Sequence, residues 1–297
     1  MPNAPSTETL TAQLRACVSS EAAAEFAREL GTLRAEPDST RLLTSFSAAA
    51  RRLGKASLGA DASASVHGPV DAVPLAPFTA DVAGRALLLL TLAEAKPDAL
   101  EDAVWNAYRE GDTSEKIAIV RSLSLLPEPE RFLDLALDAG RTNETHLFSA
   151  LACDNPFPAR YYPELEFNKL VMKAAFVRVP VERVQGLDRR ANAELSRMVL
   201  DYVAEQEAAG RGFPAPIWLA VSVSPPPGAV AKMLSYTHHE SAEMRLWAVR
   251  GLARLGPERV APSLDERLGV EADERVKAAL VEAIELLSPS DDRSRSQ

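Results

Sequence analysis

The sequence predicts an all-α protein, a helical-hairpin array in the manner of a short α-solenoid. Three observations predict it. Apolar residues recur at helical spacing along most of the chain, and clean two-residue alternation is nearly absent. Prolines and Pro-Asp pairs punctuate the periodic stretches as turns do. The C-terminal region also repeats itself at a constant offset of 32, with Met244, Arg245, Ala248, Val249, Leu252 and Leu255 matching Val276, Lys277, Leu280, Val281, Ile284 and Leu287.

Each element follows in order. Leu10, Leu14, Cys17 and Val18 set a first helical face, and Ala23, Phe26, Ala27 and Leu30 continue it. After the break at Pro37-Asp38, "STRLLTSFSAAARRLG" reads as a helix closed by Gly54, so residues 1–55 form an N-terminal helical segment. Residues 56–78, rich in Ala, Ser, Gly and Pro with little periodic burial, are expected to be a linker or mobile loop. Helices resume at Thr79, where Asp81 is read as the cap of "VAGRALLLLTLAEA". The apolar centre of that helix at 87–90 predicts neighbours on all sides. Pro97-Asp98 separates it from "ALEDAVWNAYREG", and helices are expected at about 113–126, 129–139, 143–152, 166–177, 191–209 and 214–222, within a core spanning 79–223. Residues 224–288 form C-terminal helical pairs, and 289–297 a polar tail that frays.

At 297 residues, 46% of them apolar, the chain is long enough to bury a real core as one large domain or two. The balance of 33 Lys+Arg against 42 Asp+Glu, a net charge of −9, argues against nucleic acid as a partner, since binding it needs a basic face. The start "MPNAPSTETLTAQLRACV" lacks the basic and apolar regions of a secretory signal, and the longest apolar run, "ALLLLTLA", is far below the ~20 residues of a membrane span. A cytoplasmic protein without a transmembrane segment is therefore expected. Cys17 and Cys153 give no disulfide framework or zinc pattern. No phosphate loop, nucleophile elbow or His-Glu-x-x-His occurs, so no cofactor or metal is expected and catalysis is left open.

The chemically dense stretch is "CDNPFPARYYPELEFN" at 153–168, with three prolines, aromatic rings, two carboxamides and an arginine. Arg141, Asn143 and His146 precede it at a helix-to-helix turn, and Asn168 and Lys173 follow on a helix that otherwise faces the core. His146 and Cys153 are seven apart on one helical face, but two ligands without a third do not make a metal site. Two readings stay open. In one, Arg141, Asn143, His146, Asn155, Arg160, Tyr161, Asn168 and Lys173 line a ligand pocket in which arginines pair an anionic group and carboxamides orient it. In the other, the prolines fix a long loop and the asparagines satisfy its free amides. Trp105 is expected as a packing anchor, with Arg109 reaching outward from the same turn.

"VRSLSLLPEPER" at 120–131 echoes "VRGLARLGPER" at 249–259, and with the offset-32 match this pattern of apolar face, proline-led turn and second helix resembles HEAT-type helical pairs. Over about 105–218 the segments "WNAYREGDTSEKIAIVRSLSLLPEPERFLDLALDAGRTN", "ALACDNPFPARYYPELEFNKLVMKAAF" and "VERVQGLDRRANAELSRMVLDYVAEQEAAGRGFPAPIW" resemble the EboA family, with Arg-Thr-Asn, Asn-Pro-aromatic-Pro-Ala-Arg and Phe-Asn in order. Gly140 stands where that family leads one to expect a cysteine, and Lys169 where a glutamine is more usual. The resemblance implies a bacterial gene cluster of secondary metabolism, with a UbiA-type prenyltransferase and barrel proteins encoded alongside. It implies an accessory or scaffold protein that aids biosynthesis or export of a pigment or prenylated metabolite, with the other proteins of the cluster as partners. The alternative is a small-molecule-binding protein or unassigned enzyme acting on a polar or prenylated intermediate around residues 141–173.

Overall fold

Three helices open the chain, the second and third of them capped: α1 (Ala4–Cys17), α2 (Ser20–Ala35) and α3 (Ser39–Leu53). Ser19 accepts from the Ala22 amide and Asp38 from the Arg41 amide, each satisfying a first-turn donor that the helix leaves unpaired. Gly54 ends α3 at φ +74, a conformation that glycine adopts without strain. The structure, a computed structural model, describes residues 4–59, 64–255 and 257–287.

The stretch expected to be a linker contains a β-hairpin. β1 (Ser65–His67) pairs antiparallel with β2 (Ala72–Pro74), and Val66 and Val73, opposite each other, are both buried. Three-residue strands bring one inward side chain each, too few for alternation to register in the sequence. Leu58, Leu75 and Phe78 are buried around it, and residues 60–63 of the same stretch lie outside the described residues.

α4 (Ala80–Ala95) is buried at every position from Ala80 to Ala93 and packs against α1, α2 and α3, and against α5 (Leu100–Glu110) and α6 (Thr113–Ser122). This is the surrounded helix that its apolar centre predicts. Asp81 does not cap it. Thr79 holds the N-cap position, and Asp81 is itself buried, accepting from Thr79 Oγ1 at 2.5 Å and pairing with Arg85 Nη1 at 2.6 Å. Arg85 Nε in turn donates to the Phe46 carbonyl at 3.0 Å, so the charge pair ties α4 to α3.

A capping box between Asp112 and Glu115 starts α6. The helix expected through 126 tightens into a 3-10 turn at Leu123–Leu125, and the next begins as a 3-10 turn at Pro129–Phe132, with Glu128 left-handed at φ 47 between them. α7 (Leu133–Arg141), α8 (Thr145–Ala152), α9 (Pro156–Tyr161) and α10 (Glu164–Phe176) follow. The chain packs as two compact units joined between Glu166 and Phe167, a point inside the stretch expected as one core.

The second unit carries α11 (Leu187–Arg190), α12 (Ala193–Ala208), a 3-10 helix at Ala215–Ala220 in place of the α-helix expected at 214–222, and the hairpins α13 (Ala229–Tyr236) with α14 (Ala242–Leu252) and α15 (Pro257–Leu268) with α16 (Glu274–Leu287). α14 packs on α16, and their first residues are 32 apart, which is the offset of the sequence repeat. No helix among the described residues is long and apolar enough to cross a membrane. The tail expected at 289–297 lies outside the described residues.

Candidate functional site

The stretch at 153–168 is mostly helix, not a long loop. Buried Cys153 ends α8, Asp154 turns the chain at φ 49, and Asn155 caps α9 by accepting from the Phe157 amide at 3.0 Å. Pro156 takes the first helical position, where no N–H is needed. The other end of the Asn155 carboxamide donates to the carbonyls of Val120 at 3.0 Å and Ala150 at 3.2 Å, which ties α9 to the ends of α6 and α8. Asn155 is 3% exposed, and its carboxamide meets backbone groups on both sides.

Beyond the cap, Tyr162 is buried and donates to the Ala136 carbonyl at 2.6 Å. Burial, and then the charge of Glu166, push its hydroxyl well above the ordinary tyrosine range. A Cβ at Gly140 would stand 3.1 Å from that hydroxyl, so the glycine keeps the ring's seat open. Arg160 is exposed on α9. Tyr161 is half-buried, with its ring centroid 4.8 Å from that of Phe157 and its hydroxyl sealed from solvent. Burial pushes that hydroxyl up, as do Glu130 and Asp71, with Arg160 opposing.

Arg141 ends α7, Asn143 lies in the turn that follows and His146 stands in the first turn of α8, all three exposed. Arg141 stands 3.7 Å from Asp138, whose carboxylate also accepts from the Tyr108 hydroxyl at 3.1 Å. His146 Nδ1 lies 3.2 Å from Glu144, the residue that caps α8 through the His146 and Leu147 amides. The seven-residue spacing of His146 and Cys153 does not place them alike: His146 is exposed and Cys153 is 1% exposed. Trp105 is half-buried with Arg109 4.9 Å above its ring, an anchor at the edge of the core.

In the second unit, Asn168 is buried and forms a reciprocal pair with Asn192, donating to it at 3.2 Å and accepting from it at 3.0 Å. Asn192 also caps α12 through the Leu195 amide. Lys173 is half-buried, and burial pushes its ammonium down. The eight side chains therefore fall into three places: the α7–α8 turn, α9, and α10. Asn192, Ser124, Asp71 and Glu130 were not among the side chains singled out from the sequence. Asn192 has a readable signal, an asparagine just before a periodic run; Ser124 has none.

The family described as metabolite traffic protein EboA matches residues 6–222, and HEAT repeats match residues 217–285. No curated protein matches the chain, and no solved structure does.

Proposed function

From the chain's place in the EboA family, to which it belongs, we infer that it is an accessory or scaffold protein of a bacterial secondary-metabolite gene cluster, aiding biosynthesis or export of a pigment or prenylated metabolite. It acts in the cytoplasm by holding other proteins of the cluster. The observation that carries this reading is the fate of the carboxamides. Asn155 meets the backbone of α6, α8 and α9, and Asn168 meets Asn192, so neither is presented to a ligand. The exposed Arg141, Asn143, His146 and Arg160 are the members of the set that a partner chain or a metabolite reaches. Stacked helical hairpins of the kind at 217–285 are suited to binding partner chains.

Native mass spectrometry of the protein purified gently from its own host tests the reading. The expected result is a complex with other chains encoded beside it, weakened when Arg141 and Arg160 are both changed to Ala. A protein that carries a small molecule and no partner chain would refute the scaffold role and favour a binding protein.

A further inference from the structure

Three buried hydroxyls of the first unit have no hydrogen-bond partner among the described residues: Thr91 Oγ1, enclosed within α4, Ser124 Oγ, on a residue 5% exposed, and Tyr161 Oη. A buried hydroxyl left unpaired costs more stability than an apolar group of the same shape. Such a group calls for a role. Ser124 and Tyr161 sit in one neighbourhood. The 3-10 turn Leu123–Leu125 that carries Ser124 packs against α9, which carries Tyr161, and against Pro129–Phe132, which carries Glu130.

The tip of the β-hairpin lies on the same turn. A Cβ at Gly68 would stand 2.0 Å from the Ser124 carbonyl oxygen. Gly68 is not one of the glycines with positive φ, so the close approach and not the backbone conformation demands it there. The Gly68 amide donates to the Asp71 carbonyl at 2.9 Å, closing the turn, and Asp71 and Glu130 both act on the Tyr161 hydroxyl.

We propose that Ser124 and Tyr161 form a hydrogen-bonding site for the hydroxyl groups of an uncharged polyol, roofed by the hairpin turn at 68–71. The class follows from the chemistry. A hydroxyl both donates and accepts, so its best partner does the same. Two carboxylates against the one guanidinium of Arg160 disfavour an anion. The half-buried ring of Tyr161, set against Phe157, gives the C–H face of a polyol an apolar surface on the way in. The site stands apart from the partner-holding role, since none of the chains that role invokes is needed for it.

The test uses the full chain and its Tyr161→Phe, Ser124→Ala and Gly68→Ala variants. Melting is followed without ligand, and titration calorimetry is run with myo-inositol and glycerol, with inorganic phosphate and spermidine as charged controls. The expected result is that Tyr161→Phe and Ser124→Ala melt at or above the wild-type temperature, while each weakens saturable binding of a polyol by about tenfold or more. Gly68→Ala, which lifts the roof and leaves both hydroxyls, weakens the same binding. The proposal is overturned if the two hydroxyl variants melt lower, which would give the hydroxyls a structural partner. It is also overturned if neither polyol binds saturably, if only phosphate or spermidine binds, or if binding survives both hydroxyl variants unchanged.

Discussion

Replacing Glu271 by Gln should remove the staple between the two C-terminal hairpins. The Glu271 side chain is 0% exposed. One carboxylate oxygen accepts from Arg245 Nη2 at 2.8 Å and from the amides of Ala272 and Asp273 at 2.9 Å. The other accepts from Arg245 Nε at 2.8 Å and from Arg267 Nη2 at 2.5 Å. The Arg245 guanidinium first, then the two amides and the Arg267 charge, hold the carboxyl down to about 2 from an ordinary 4.5 against its own desolvation. At about 1.4 kcal/mol per pH unit that difference corresponds to about 3 kcal/mol, in line with the roughly 3–5 kcal/mol lost when one partner of a buried pair is removed. Because the folded value lies below the unfolded one, the stabilisation is complete above pH 4.5 and disappears as pH falls toward 2. Urea unfolding followed by tryptophan fluorescence, which Trp218 and Trp247 report from the same unit, should give wild type an advantage of about 3 kcal/mol over Glu271→Gln at pH 7. The advantage should shrink steadily below pH 4.5. A deficit under about 1 kcal/mol at pH 7, or one that stays constant down to pH 3, would refute the account.

Arg85→Met should cost about 3–5 kcal/mol by stranding the buried Asp81 carboxylate. The double variant Asp81→Leu/Arg85→Met should recover most of that loss in thermal melts, and a deficit equal in both would rule out the stranded charge as its cause. Asn155→Ala should cost about 2–3 kcal/mol, since it removes the α9 cap and leaves the Val120 and Ala150 carbonyls without that donor; an unchanged melting temperature would contradict the anchoring role. Gly68→Ala should speed amide exchange in β1 and β2 before the rest of the first unit, because its Cβ cannot coexist with the Ser124 carbonyl as placed. Exchange equal to wild type would show that the turn adjusts without undocking.

The parts of the fold that were legible in the sequence are those in which burial alone decides structure. α4 is apolar along its centre and buried there, and the offset of 32 between α14 and α16 is the distance between equivalent turns of packed hairpins. The hairpin was missed because Val66 and Val73 are single inward residues in three-residue strands. Asp81 was misread because an acidic residue in a first turn has two possible roles, cap or ion-pair partner. Arg85, one turn further on and equally buried, decides between them only in three dimensions.

The stretch at 153–168 was legible as unusual and illegible in role, for one physical reason. Its composition supplies donors and acceptors, but what they do depends on which distant backbone meets them. Asn155 reaches a carbonyl 35 residues earlier in the chain, and that contact converts an apparent ligand residue into the anchor of α9. Six residues on, Tyr161 stands on the same helix, fixed by that same anchor, with its hydroxyl buried and unpaired. With its ring seated against Phe157, the Tyr161 hydroxyl costs stability for as long as it stays buried and unpaired. The rigidity that takes Asn155 out of the list of ligand residues is therefore what gives Tyr161 its place in that list. The same substitution logic separates them: loss of the asparagine side chain should lower stability, and loss of the tyrosine hydroxyl should not.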